Sequence, residues 1–555
     1  MPDVSPRRKA LILAICCLSL LIVSLDNTIL NVALPSMQRD LHATVSGMQW
    51  TIDAYTLVLA SLLMLAGSTA DRIGRRRVFQ TGLVLFTVGS ALCSVAPNLT
   101  SLVAFRMIQA IGGSMLNPVA MSIITNTFTG PRERARAIGV WGAVVGISMA
   151  AGPLVGGLLV DSVGWRSIFW INLPIGVGAY LLTRRYVPES RAPRPRRPDP
   201  VGQLLVIGVL GALTYAIIEA PAEGITSPLI LSFAGFSALC LAGLLLYEPR
   251  RAEPLIDLRF FRSAPFSGAT VVAVSAFAAL GGFLFLNTLY LQNVLGYSAL
   301  HAGLYMLPMA ALTFLCAPLS GRLVGSRGPR LSLLIAGTAM TASGVLFAAL
   351  DAQGTTVLLF TGYVLFGIGF GVVNAPITNT AVAGMPRAQA GVAAAVASTS
   401  RQIGQTLGVA VIGAVLAGGL ATGAGAGPGT AAYRAGFDAV SGAAWWIITA
   451  CGLSVLVVGA LTSGKWARRT ASRTAELLAA EPPVPAAGSA MAATRATPAA
   501  RAPQGPQASH APQGPHGSRR GSQTPEGTPV EARSEARSEA RSETWADTRS
   551  EWPDS

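Results

Sequence analysis

The chain has 555 residues, of which 51% are hydrophobic and 12% charged, and its mean hydropathy is +0.52. A soluble chain carries about a quarter charged residues, so the composition excludes an ordinary soluble globular protein. The formal net charge is +15, and the placement of the basic residues decides whether it signals nucleic acid or membrane orientation.

Apolar runs of bilayer-spanning length recur from Leu11 to about residue 462. Backbone groups in hydrocarbon must be satisfied internally, so only helices or a closed barrel can cross. The runs are continuous rather than alternating, which selects helices of roughly 20 residues. Fourteen spans are expected: 11–33, 48–69, 78–97, 100–123, 137–160, 166–183, 202–219, 228–247, 266–291, 302–321, 331–350, 355–379, 392–417 and 438–462. Arg7-Arg8-Lys9 before the first run imitates a signal peptide, but no small-x-small cleavage site follows and Asp26 interrupts the stretch, so it reads as the first helix. All six cysteines lie in apolar segments without a Cys-x-x-Cys pair, so neither a metal site nor a disulfide is expected.

With the N-terminus placed inside, 24 basic residues fall in inner segments and three, Arg39, Arg166 and Arg434, in outer ones. Positive residues concentrate on the cytoplasmic side of membrane proteins, so the charge sets orientation and no nucleic-acid partner is expected. From about residue 466 the composition changes: Ala-Pro-Gln-Gly-Pro occurs at Ala502 and Ala511, and Glu-Ala-Arg-Ser repeats from Glu531. Such sequence buries too little apolar area to offset ordering entropy, so 466–555 is expected to be a disordered cytoplasmic tail.

Taken in chain order, the first helix ends Leu25-Asp26-Asn27-Thr28-Ile29-Leu30-Asn31, the second holds Asp53, and the fourth holds Arg106 and Gln109. At 1.5 Å per residue Asp26, Asp53 and Arg106 all lie roughly 7–11 Å below the outer surface. Ionisable groups at such depth usually face the bundle interior and pair. An Asp26–Arg106 interaction is inferred, with Asp53 as second acid or substrate contact. The guanidinium favours the charged carboxylate and loss of water favours the neutral one; an acid balanced between them can exchange a proton for a cation. The loop after the second helix runs Gly67-Ser-Thr-Ala-Asp71-Arg72-Ile-Gly74-Arg75-Arg76-Arg77. Gly67 lets helices approach closely, and Gly74 can take the positive φ of a turn. Asp71 can face the positive end of a neighbouring helix, and Arg72, Arg75 and Arg76 can hold one gate state. The fifth helix carries Gly142, Gly146, Gly152, Pro153, Gly156 and Gly157, small residues that make a flat packing face with a bend at the proline. Ser148 stands among them. Arg401, in the thirteenth helix, lies near the midplane with no acid close by in sequence.

Two patterns recur. Gly321, Gly325, Gly328 and Arg330 repeat the second-helix loop at an offset of 254, without its acid, and Ile368-Gly369 with Asn374 repeats Ile111-Gly112 with Asn117 at 257. The chain is therefore read as a six-helix lobe (1–186), a linker with two extra helices (187–264) and a second six-helix lobe (265–465). Duplicated six-helix halves with a site between them are a transporter architecture.

The loop Gly67–Arg77 resembles the signature Gly-x-x-x-Asp-Arg-x-Gly-Arg-Arg of the major facilitator superfamily. Gly142–Gly157 resembles its antiporter motif, with Ser148 where glycine is usual. The end of the first helix and Arg106-x-x-Gln109 resemble motifs of its fourteen-helix drug:proton antiporter branch, with Ala110 in place of glycine. The resemblance covers about 10–465. It implies an all-helical major facilitator fold in the cell membrane with both termini cytoplasmic. It also implies proton-coupled export of small amphiphilic drugs or antibiotics by a monomer without a cofactor, with Asn31, Gln109 and Arg401 near the substrate or coupling charges. The two lysines, Lys9 and Lys465, are in no phosphate-binding loop, so an ion gradient rather than ATP is the expected drive. Export of one metabolite or self-made antibiotic, or a membrane sensor or scaffold that transports nothing, are the alternatives. No nucleophile–base set marks an enzyme.

Overall fold

A computed structural model describes residues 5–479, apart from 193–197, 252, 350–355, 387–388 and 421–429. The first lobe comprises α1 (Pro6–Leu41), α2 (Val45–Ile73), α3 (Arg75–Ser94), α4 (Leu99–Thr127), α5 (Pro131–Ser162), α6 (Ser167–Trp170) and α7 (Asn172–Tyr186). Two inserted helices follow, α8 (Pro200–Glu223) and α9 (Pro228–Tyr247). The second lobe comprises α10 (Ala264–Leu289), α11 (Ala299–Arg327), α12 (Pro329–Ala348), α13 (Thr356–Val382), α14 (Ala390–Leu420) and α15 (Ala431–Thr462), and α16 (Lys465–Ala479) closes the described chain.

Thirteen of the described helices are long and apolar enough to cross a bilayer. The expected span 166–183 falls on α6 and α7, which the residue Ile171 separates. Hydroxyl and amide side chains start several helices by accepting from their first free amides: Thr44 from Gly47, Asn98 from Ser101, Ser227 from Ile230 and Ser298 from His301. Part of the expected disordered tail is a helix. In α16, Ala467, Ala471, Thr474 and Leu478 recur at helical spacing and are buried, a short seam that composition alone conceals. The rest of the expected tail, 480–555, lies outside the described residues.

The two lobes meet where α5 packs on α11 and α2 on α14. This contact is tight at the end of the bundle away from the N-terminus. A Cβ on Gly157 would stand 2.5 Å from Leu300 Cα, and a Cβ on Gly303 would run into the Pro153 carbonyl. The Asp161 carboxylate accepts from the Leu300 amide at 2.9 Å and the Ala299 amide at 3.2 Å. Gln49 of α2 donates to the carbonyls of Ala410 (2.8 Å) and Val409 (3.2 Å). A single π turn, Tyr290–Val294, ends α10 and aims two amides at α1: Gln292 donates to the Val32 carbonyl at 2.8 Å and Asn293 to Gln38 Oε1 at 3.1 Å. Toward the arginine-rich end the lobes part, and a Cβ on Gly139, Gly142, Gly321, Gly325 or Gly391 would meet nothing within 4 Å. Among the inserted helices α8 lies against both α2 and α14, and α9 packs on α8. Gln203 donates to the Ser61 carbonyl, and the Trp50 indole donates to Glu219 at 2.7 Å.

Candidate functional site

Asp26, on α1, is reached by three donors from two other helices of its lobe. Arg106 Nη1 of α4 lies 2.5 Å from Oδ2, Gln109 Nε2 2.9 Å from Oδ1, and Asn172 Nδ2 of α7 3.0 Å from Oδ1. Arg106 is 0% exposed; it also donates to Gln109 Oε1 at 2.8 Å and to the Thr51 carbonyl at 3.3 Å, and its guanidinium lies 4.1 Å from the Tyr55 ring centre. Arg106 and Gln109 are three apart on α4, so one helix face presents both. A buried ion pair repays its desolvation only when the remaining lone pairs and protons are also satisfied. Here most of the set is satisfied, and Arg106 Nη2 and Asn172 Oδ1 are left without a hydrogen-bond partner among the described residues.

Sequence reasoning missed Asn172. It enters because the break at Ile171 starts α7 at that residue, and Ser90 holds it through a 3.1 Å bond to the same amide. The available signal was an amide and a proline, Asn172-Leu-Pro174, inside an apolar run.

The other expected coupling residues do not join this set. Asn31 donates to the Asn27 carbonyl one turn back at 2.9 Å. Asp53 is fully buried, with no hydrogen-bond partner on either carboxylate oxygen among the described residues. One turn along α2, Thr56 accepts a 2.8 Å bond from Thr406 of α14, so Asp53 belongs to the stretch of α2 that faces the other lobe. Arg401 lies in the second lobe, bonded to the Thr378 hydroxyl at 2.5 Å and Ser398 at 3.4 Å, with the Phe277 ring 6.0 Å away. No described acid forms a salt bridge with it.

The internal repeat gives the Asp26–Arg106 pair a counterpart. An offset of 257 carries Arg106 on α4 to Tyr363 on α13, and Tyr363 donates to Asn287 Oδ1 of α10 at 2.9 Å. Helix α10 opens the second lobe as α1 opens the first, so the second lobe carries a neutral, fully buried hydrogen bond where the first carries charges.

The loop after α2 is tied to its own lobe. Gly74 has φ +129°, and a Cβ there would stand 2.6 Å from Glu189 Oε1. The Glu189 carboxylate accepts from the amides of Arg76 (3.0 Å) and Arg77 (3.3 Å) at the start of α3. Asp71 pairs with Arg75, the first residue of α3, at 2.8 Å, and its carbonyl accepts from the Ala192 amide at 3.0 Å. Arg72 is exposed. No close approach is made at Gly67, where a Cβ would meet only Pro118 Cβ at 3.9 Å. Glu189, absent from the sequence reading, serves here as the cap of α3. Glu189→Ala is expected to lower stability by ~1 kcal/mol, the usual worth of such a cap, read as a lower melting midpoint of purified protein; an unchanged midpoint would show the contact to be idle.

In α5, Gly152 and Gly156 pack on Thr28 and Ile29 of α1, Gly146 packs on Phe314 of α11, and Gly157 on Leu300. Ser148 fits because its hydroxyl turns back to the Val144 carbonyl at 2.8 Å, while its own carbonyl accepts from Thr28 at 3.3 Å. A Cβ on Gly142 would meet nothing within 4 Å among the described residues. Thus α5 bears on both the helix that carries Asp26 and the helix of the other lobe that seals one end.

The family model described as Major Facilitator Superfamily matches residues 16–409. The multidrug resistance protein Stp of Mycobacterium tuberculosis (strain CDC 1551 / Oshkosh) is 39% identical over 73% of this chain and 75% of its own length. The tetracenomycin C resistance and export protein of Streptomyces glaucescens is 38% identical over 71% of this chain and 73% of its own. A solved bacterial homolog to the human lysosomal transporter Spinster, inward-facing and occupied, covers 85% of this chain and 98% of its own with a TM-score of 0.60; at 19% identity it speaks for the fold alone. Two duplicated helical lobes, a buried charge set in one of them and these matches have one joint reading: the chain belongs to the major facilitator superfamily and is a membrane transporter, not an enzyme.

Proposed function

We propose that this transporter is a proton-driven antiporter that exports small amphiphilic drugs or antibiotics by alternating access. The observation that carries the reading is the buried Asp26–Arg106–Gln109–Asn172 set, which among the described residues has a neutral counterpart in the second lobe. Intramembrane ionisable groups commonly mark proton relays. Asp26 lies six residues, under two turns, from Val32, whose carbonyl receives Gln292 of the other lobe. Opening that end releases α1 from α10 and frees the helix to re-aim its carboxylate. Proton uptake by Asp26 then requires Arg106 to separate from it, and substrate entering the lobe seam with a positive charge can take the proton's place. Asp53, on the stretch of α2 that faces the other lobe and without a carboxylate hydrogen bond among the described residues, is a second proton or cation contact, and Arg401 is a substrate contact from the other lobe.

In this reading the arginine-rich end is cytoplasmic, as the distribution of basic residues supports. Both termini are then inside, the protein works in the cell membrane as a monomer, and no cofactor is used. Asp71, Arg72, Arg75 and Arg76 with Gly67 and Gly74 form the inner gate. Gly146, Gly152, Pro153, Gly156 and Gly157 form the hinge face, and Gly142 joins it when the inner end closes. The test is a panel of drugs in a host lacking its own pumps, with and without a protonophore. Resistance and low accumulation that the protonophore reverses are expected; export insensitive to the protonophore would sink the coupling. Similarity to the tetracenomycin C resistance and export protein favours a second reading, a dedicated exporter of one antibiotic. Resistance confined to one chemical class in the same panel would establish it.

A further inference from the structure

Helix α16 starts three residues after α15 ends at Thr462, so it leaves the bundle at the bilayer surface. One seam of it is used. Thr470 Oγ1 accepts from the Ala264 amide at 3.0 Å, and Ala471 lies against Gly384. The rest is open. Trp466 is 65% exposed and Leu477 52%, and Lys465, Arg468, Arg469 and Arg473 are exposed too. None of these basic groups is in a salt bridge among the described residues.

At 100° per residue these side chains separate cleanly. Trp466, Arg473 and Leu477 fall on one edge, about 80–120° from the buried seam. Lys465, Arg469, Ser472 and Glu476 fall on the side opposite the seam, and Arg468 on the other edge. An exposed tryptophan and leucine flanking an arginine suit the headgroup boundary, where the rings and alkyl groups reach acyl chains and the guanidinium stays at the phosphates. A basic amphipathic helix of this kind lies in the interface and favours anionic lipid.

We propose that α16 is an interfacial helix that holds the second lobe on anionic phospholipid headgroups, with Trp466 and Leu477 dipping into the bilayer and Arg469 and Arg473 binding the phosphates. Charge decides this occupant. The surface is basic, and the Glu-Ala-Arg-Ser repeat farther along the chain alternates Glu with Arg and offers no block of negative charge. The proposal needs α16 only at a bilayer surface, so it stands or falls apart from the transport reading.

Spin labels at Trp466→Cys, Leu477→Cys and Arg469→Cys test it, each in the full chain with its six native cysteines replaced, in nanodiscs of phosphatidylcholine with or without phosphatidylglycerol. Labels at 466 and 477 should be relaxed more by oxygen than by a water-soluble nickel chelate, with the reverse at 469. Nickel access at all three positions would overturn the membrane contact, and exclusion of both reagents at 466 and 477 would mean that protein covers the edge. Separately, the Arg469→Gln, Arg473→Gln chain should retain about half or less of the phosphatidylglycerol that the unaltered chain keeps in native mass spectrometry. Equal retention would overturn the anionic preference.

Discussion

Asp26→Asn is expected to abolish substrate-dependent collapse of ΔpH in everted vesicles while the protein still reaches the membrane. The amide can still accept from Gln109 or Asn172, which lie 2.9 and 3.0 Å from the present carboxylate. It cannot balance Arg106, which is wholly buried, and it cannot carry a proton. Breaking a buried pair by removing one partner typically costs about 3–5 kcal/mol, because the other charge stays behind. The Tyr55 ring, 4.1 Å from the guanidinium, stays beside the charge in both forms and so does not replace the lost carboxylate. Lower thermal stability without loss of the fold is therefore expected beside the loss of coupling. Asn287 of the second lobe already supports Tyr363 in the corresponding neutral arrangement, which shows how the fold accommodates an uncharged pair when both partners are neutral. If Asp26→Asn leaves the ΔpH response unchanged, the coupling role leaves Asp26; Asp53→Asn, measured alongside, then shows whether it rests on the unpartnered acid of α2.

The second large effect is expected from Gly157→Val. The new Cβ would stand 2.5 Å from Leu300 Cα and 2.7 Å from the Ala299 carbonyl oxygen, both backbone atoms that no rotamer change can move aside. The lobes would be wedged apart at the end now sealed, and the Asp161 bonds to the Ala299 and Leu300 amides would be lost. Transport should fall to background because one of the two alternating states is removed. A cysteine at Gln49, now buried and bonded to α14, should react faster with an impermeant maleimide in the variant than in the parent. Gly142→Val is the informative contrast. Its Cβ meets nothing in this state, so it should leave Gln49 protected and impair only closure of the other end. Equal labelling and intact export in Gly157→Val would mean that the α5–α11 seal is not needed in the cycle.

Much of this protein follows from sequence because the bilayer imposes a simple rule: backbone must satisfy itself and charges must hide. Apolar length located the spans, glycine and arginine spacing exposed the duplication, and common depth paired Asp26 with Arg106. The extra acid and arginine behaved differently from that scheme for a geometric reason. Depth says how far along a helix a residue sits but not which way it faces, and only packing left Asp53 without a hydrogen-bond partner among the described residues and Arg401 among hydroxyls. Asn172 and Glu189 were invisible for a related reason: each is brought in by a chain break or a segment remote in sequence, Ile171 for one and the stretch after α7 for the other. The seam of α16 was hidden because four small or apolar residues in a basic stretch do not register as hydropathy until a lobe lies against them. The neutral twin of the charge pair shows both limits at once. The repeat offset of 257 pointed from Arg106 to Tyr363, but only the packed second lobe revealed that Tyr363 meets Asn287, because hydrogen bonds between helices depend on rotation about the helix axis, which one-dimensional spacing does not carry.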